Sequence, residues 1–498
     1  MSVLTVLLVA LPLAGCLAVL GVPERVAVWF GVVLTGATLV VAVVVAAVFD
    51  YHRSGTVQLS VDGSWIPSIG LRFHLGVDGI SLPLVVLTAL LCALSAVYLS
   101  RPAGAPERPR AFTALLLLTE VGMIGTFVSL DLLLFFVFFE VVLVPMYAII
   151  AGWGGGPGRT AAARQFILYT LLGSGVLLVG LLVIYSQTST LDMVALAQRA
   201  GTGIGHTVQV IAFLLVAGGL AVKVPMWPLH SWLPDAHTEA PTVGSVLLAG
   251  VLLKMGTYGM VRIAVPMLPE GARVLAPALG ALGVVGIIYA ALACLAQRNL
   301  KRLIAFSSVG HMGFVLLGIA TLTPVGINAA LFGNIAHGLI TGLLFFLAGG
   351  VAQRYGGTDL DRLGGGMLAT VPRLGSLLVV AAVASLGLPG LAGFWGEMLA
   401  MLSAFRPGGD LNRGLYLTFM VVAGLGAVLT AAYFLVMLRK VAQGTASPRW
   451  AGTVIADVTA REWVAWAPLV VLFVAAGLWP GLVLGVTDGA VRGLLGGG

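Results

Sequence analysis

The stretch Val208-Gln-Val-Ile-Ala-Phe-Leu-Leu-Val-Ala-Gly-Gly-Leu-Ala-Val-Lys223-Val-Pro225-Met-Trp-Pro228 decides how this 498-residue chain is read. It is an apolar run of membrane-crossing length that ends in a lysine and two prolines. About 20 apolar residues span a bilayer as a helix. A charged side chain at the centre of such a helix costs roughly 2.5–3.5 kcal/mol on insertion scales. Proline removes a helix hydrogen bond. Non-helical backbone is tolerated at membrane depth only inside protein or beside water. The stretch therefore reads as a broken membrane helix with a titratable group at the break.

The same kind of run recurs along the whole chain. Hydrophobic residues make up 59% of it and charged residues 9%, with mean hydropathy +1.08. A soluble protein of this size does not keep so little charge on its surface, and the short alternating strands of a membrane barrel are missing. Fourteen segments are expected, at about 3–20, 26–49, 80–99, 112–129, 132–151, 165–185, 208–229, 243–263, 274–295, 303–320, 327–351, 377–401, 416–438 and 464–484. The fold class is an all-α polytopic membrane protein. The polar stretches 50–78, 187–207 and 443–463 have room for a hairpin or a short surface helix, but not for a cofactor domain.

Basic residues orient the bundle. Alternate connections, beginning after segment 1, carry 16 of them and the opposite side carries 8; Lys223 and Lys254 complete the 26. The positive-inside rule then puts both termini outside. The net charge of +7 is a topology signal, and no nucleic-acid partner is expected. Cys16, Cys92 and Cys294 lie far apart in apolar segments, without iron–sulfur or zinc spacing. Neither a metal nor a cofactor is expected. Leu13-Ala14-Gly15-Cys16 has the look of a lipoprotein cleavage box, but no Lys or Arg precedes Arg25, so a membrane helix is the preferred reading.

A second break, Gly387-Leu388-Pro389-Gly390-Leu391-Ala392-Gly393, interrupts segment 12 just before Glu397. Paired broken helices mark the ion site of repeat-built transporters. Glu140 and Lys223 lie 83 residues apart, and His311 and Glu397 lie 86 apart. Segments 4–8 and 9–13 thus form two five-helix units, and an odd helix count makes the second inverted. The expected divisions are 1–110 for helices 1–3, 111–265 for the first unit, 266–440 for the second, and 441–498 for the last connection and helix 14.

Seven intramembrane residues carry the chemistry. Glu140 has only apolar neighbours on its helix face, so its partner must come from another helix. Lys223 stands at the break. Lys254 is in mid-segment, badly placed for snorkelling. His311 has Ser307 and Ser308 one turn back; His337 shares a face with Asn334 and Thr341. Histidine titrates near neutral pH, as a proton relay requires. Glu397 occupies in the second unit the place of Lys223 in the first, with opposite charge. Glu120 in segment 4 is open between relay and packing. A fixed Glu–Lys pair and singly bonded core histidines are the structural alternatives, while Asp131 reads as an interfacial helix cap.

These residues together resemble a known family. Segment 5 reads Asp131-Leu-Leu-Leu-Phe-Phe-Val-Phe-Phe-Glu140-Val-Val-Leu-Val-Pro145-Met146-Tyr147. Segment 7 continues from Lys223 to His230-Ser-Trp-Leu-Pro-Asp235-Ala-His237-Thr-Glu-Ala-Pro241-Thr. Segments 9 and 10 carry Gln297-Arg-Asn-Leu-Lys301-Arg-Leu-Ile-Ala-Phe-Ser-Ser308-Val-Gly-His311-Met-Gly. They are similar to the antiporter-like subunits of proton-pumping NADH:quinone oxidoreductase (respiratory complex I) and of multisubunit cation/proton antiporters, over nearly the whole chain. Glu397 stands where the L and N types and the antiporters carry lysine, so the resemblance is to the M type.

The resemblance implies fourteen helices in two inverted repeats with broken helices 7 and 12. It implies Glu140 and Lys223 as a charge pair, Lys254 as the connecting lysine, His311 and His337 as relay, and Glu397 in place of the terminal lysine. Glu120 is not a dependable family position, and His230 and His237 match the motif without an assigned role. A proton-translocating subunit of a bacterial cell (inner) membrane follows, with L- and N-type neighbours and no redox centre of its own. The alternative is an ion-driven cation/proton antiporter subunit.

Overall fold

In hydrocarbon every backbone N–H and C=O must be satisfied within its own segment, so the apolar runs become helices. The computed structural model describes residues 2–101, 104–445, 448–450 and 454–495. Among these residues, thirteen helices are long and apolar enough to cross a membrane, from Val3–Gly21 to Ala460–Leu478. Segment 12 consists of two shorter helices, Pro372–Ser385 and Ala392–Phe405. All fourteen expected segments are therefore helical.

The polar stretches between the spans hold small elements of the kind they have room for. Gln58–Ile66 and Leu71–Val77 form an antiparallel hairpin within the 50–78 stretch. Gly70 closes its turn at φ 69°, a conformation open to a residue without Cβ. The 187–207 stretch holds the short helix Met193–Arg199, capped by Asp192. The described part of 443–463 holds one turn, Pro448–Trp450, and the start of the last span.

Both expected breaks are present. Helix His206–Lys223 stops at Lys223 and the chain resumes as Trp232–Glu239. The Trp232 indole donates to the Val222 carbonyl at 3.0 Å, filling one acceptor that the break exposes. In segment 12, Gly387 and Gly390 take φ of 82° and 94° between the two half-helices. Two further interruptions appear. Segment 5 divides at Val142 into Leu132–Val141 and Leu143–Trp153. Pro145 explains this: it has no N–H for the Val141 carbonyl, and its ring crowds that carbonyl. Segment 8 contains π-helical turns at Leu248–Leu252 and Met260–Ala264, one on each side of Lys254.

Segments 8 and 11 are buried nearly throughout, and segments 3, 4 and 10 mostly so. Segments 1, 2, 6, 13 and 14 expose apolar side chains such as Val33, Leu172, Val428 and Val471. The polar residues thus lie largely on inner helices. Segments 11 and 12 approach backbone to backbone: a Cβ on Gly396 would lie 2.7 Å from the Gly333 Cα. Segment 14 is clamped by Glu462, which binds Arg101 and Arg354, each at 2.7 Å.

Candidate functional site

The second break assembles a connected group. His311 contacts a Glu397 carboxylate oxygen through Nδ1 at 2.9 Å and the Ser385 hydroxyl through Nε2 at 3.0 Å. Ser385 ends the first half of segment 12, and Glu397 lies in the second half. One histidine therefore joins both sides of the break. The His337 ring meets the His311 ring edge-on, 5.6 Å between centroids. A cavity of about 30 Å³ lies between them, lined by His311, His337, Thr341, Ser385, Gly396 and Glu397. At about 10–15 Å³ per water, it has room for about two.

Lys254 extends this group into the first unit. Its ammonium lies 2.6 Å from His337 Nδ1 and donates to the Ala249 carbonyl within the first π turn. Helix side chains lean toward the N-terminus, which carries the lysine tip back to that turn. Lys254 is fully buried and does not snorkel. An ammonium donating to Nδ1 requires a neutral imidazole with its proton on Nε2. That Nε2 has no partner among the described residues. Lys254, His337, His311 and Glu397 thus form a row of polar side chains, three of them buried and His311 partly so, with room for water at its one gap.

The Glu140 end differs. Lys223 is buried, and its ammonium donates to the Phe139 carbonyl at 2.9 Å and lies 3.4 Å from the Phe139 ring centroid. Among the described residues it forms no ion pair within 4 Å, and Glu140 Oε1 has no hydrogen-bond partner. The expected Glu140–Lys223 charge pair is therefore not in direct contact, because the neighbouring residue's backbone and ring hold the lysine.

Other expected residues fall outside these groups. Glu120 is fully buried in segment 4, and among the described residues neither carboxylate oxygen has a partner. Ser307 and Ser308 do not assist His311: both hydroxyls donate to the Ile304 carbonyl of their own helix. Asn334 donates to Thr257 at 2.8 Å, while the Thr341 hydroxyl lines the cavity unpaired. His230 packs against Tyr289, and His237 stacks on Phe345 with both ring nitrogens unpartnered. Asp131 is the cap it resembled, accepting from Leu133 and Leu134 N–H. Lys301 donates to the Ala240 carbonyl at the end of the second half-helix of segment 7. Ser385 escaped the sequence reading; its only signal is a hydroxyl in the last helical position before a glycine-rich break.

Residues 129–438 match the family described as NADH:quinone oxidoreductase/Mrp antiporter, TM. The chain is 40% identical to NAD(P)H-quinone oxidoreductase chain 4 of Gloeobacter violaceus, covering 95% of this chain and 89% of the relative. It is 39% identical to NADH-quinone oxidoreductase subunit M of Rhodobacter capsulatus, covering 95% and 91%. A chain of respiratory complex I from Thermus thermophilus superposes with TM-score 0.87 at 29% identity, covering 100% of both chains. A chain of the Mrp complex from a Dietzia species shares the fold, with TM-score 0.83 at 24% identity, covering 99% and 98%. The chain belongs to the transmembrane family shared by NADH:quinone oxidoreductase and the Mrp antiporters, and within that family it is grouped with subunit M (chain 4) of NADH-quinone oxidoreductase.

Proposed function

We propose that this chain is a proton-translocating membrane-arm subunit of respiratory complex I, with no redox centre of its own. NADH oxidation and quinone reduction fall to other subunits. The observation that carries this reading is the row Lys254–His337–His311–Glu397. Protons enter on the basic-rich side, where a cavity of about 450 Å³ is lined by Arg101, Arg159, Thr242, Lys301 and Gly349. Thr242 and Gly349 belong to the segments that carry Lys254 and His337. A proton on Lys254 passes to His337 Nδ1, leaves from Nε2 through water in the small cavity, and reaches His311 and Glu397. Each transfer moves one proton along an existing or water-bridged hydrogen bond, so the route needs no cofactor.

The Glu140–Lys223 end sets the charge that loads or empties this row; Glu120 adds a buried carboxyl in segment 4. Four divisions, 1–110, 111–265, 266–440 and 441–498, with the third inverted relative to the second, describe how the two broken helices come to flank the row. The 16-to-8 bias of basic residues supports an inner-membrane topology with both termini outside. Neighbours of the L and N types are the expected partners.

Lys254→Ala tests the reading in the assembled complex. NADH-driven proton uptake into inverted vesicles should fall at least tenfold while NADH oxidation by an artificial acceptor persists. Uptake at the native rate would sink the relay. Uptake driven by a sodium gradient without NADH would favour the antiporter alternative.

A further inference from the structure

The break in segment 5 creates a cation site that the relay does not itself require. Helix Leu132–Val141 ends at Val142 and a new helix starts at Leu143, so carbonyls of its last turn lie at a helix end. The negative end of that helix dipole also falls here, inside the bundle. Phe139 lies in this last turn. Its carbonyl accepts from Lys223 at 2.9 Å, and its ring lies under the same ammonium at 3.4 Å. The ring is buried and stacked on Phe135 at 5.5 Å, which is itself stacked on Tyr258 at 6.4 Å. Glu140 follows directly in sequence but projects about 100° around the helix. Its face includes Val137 and Val144, both exposed. One carboxylate oxygen is without a partner.

We propose that Phe139 is a positioning residue: its carbonyl and ring form a seat that holds the Lys223 ammonium away from Glu140. Lys223 then has two alternative partners, the Phe139 seat and the Glu140 carboxylate, one residue apart. Seated, it leaves Glu140 unpaired; released, it neutralises Glu140. The seat turns a fixed ion pair into a two-position device, and the interrupted end of helix Leu132–Val141 supplies the backbone half of it. The inference rests on the proton-relay reading above.

The test replaces Phe139 in the assembled complex with phenylalanines of increasing ring fluorination, which weakens the negative ring face at nearly constant shape. Proton uptake driven by NADH should fall stepwise, to roughly one-third to one-tenth of native with the fully fluorinated ring. Phe139→Trp should retain uptake, and Phe139→Leu should lose as much as full fluorination. A flat fluorination series, in a complex where Lys223→Ala abolishes uptake, would overturn the seat and leave the relay standing. Loss that follows side-chain volume, with Trp worst, would also overturn it in favour of plain packing. Native uptake in Lys223→Ala would remove the relay reading, and the seat with it.

Discussion

The two broken helices look alike in sequence and build opposite kinds of site. At segment 7 a lysine stands just before the break, and a backbone carbonyl and an aromatic ring bind it. Its expected carboxylate partner is left with an unpaired oxygen. At segment 12 a glutamate follows the break, and it is bonded to His311, which also bonds Ser385 across the gap. The first end holds a charge on groups that do not titrate. The second passes hydrogen bonds between groups that do, beside a cavity with room for water. A break in a membrane helix supplies unsatisfied backbone and space; which neighbours reach it decides whether it becomes a seat or a conduit.

The contrast can be broken most severely at its link. His337→Leu removes the side-chain acceptor of Lys254 and the bridge to His311. Proton uptake should drop at least tenfold with the complex still assembled on a native gel; near-native uptake would mean that protons bypass the row. Gly396→Ala should have an intermediate effect. The added Cβ meets the Gly333 backbone, so segments 11 and 12 must separate, at about 1–3 kcal/mol for overpacking. Uptake should fall several-fold, with a lower melting temperature of the complex, and an unchanged melting temperature would show that the two helices separate freely. Ser385→Ala should be the mildest. It removes one neutral hydrogen bond to His311, worth about 1 kcal/mol. Uptake should slow two- to fivefold; a loss as large as that of His337→Leu would make Ser385 a full member of the row.

Much of the architecture was legible because hydrocarbon leaves the backbone so few choices. Long apolar runs had to be helices, and prolines and paired glycines had to interrupt them. The candidate residues were legible for the same reason: a buried lysine, glutamate or histidine stands out where almost everything else is apolar. The hairpin was visible only as a polar stretch of suitable length. The kink at Val142 was written in Pro145, yet it went unread because the apolar pattern runs through it. Helical spacing misassigned Ser307 and Ser308, whose hydroxyls turn back to Ile304. Hydroxyls in helices often bond their own backbone, and spacing alone does not reveal this.

Sequence by itself determined that the chain spans a membrane many times, where two of its helices break and which titratable groups it buries. Tertiary structure decided the pairings. Lys254 could have met a carboxylate, a carbonyl or a histidine; the π turns beside it and the close packing of segments 8 and 11 gave it His337. Lys223 was expected to meet Glu140, and the kinked end of segment 5 gave it Phe139 instead. The charges were fixed by composition, but a hydrogen bond needs two atoms about 3 Å apart, and only the packing of one helix against another brings them there.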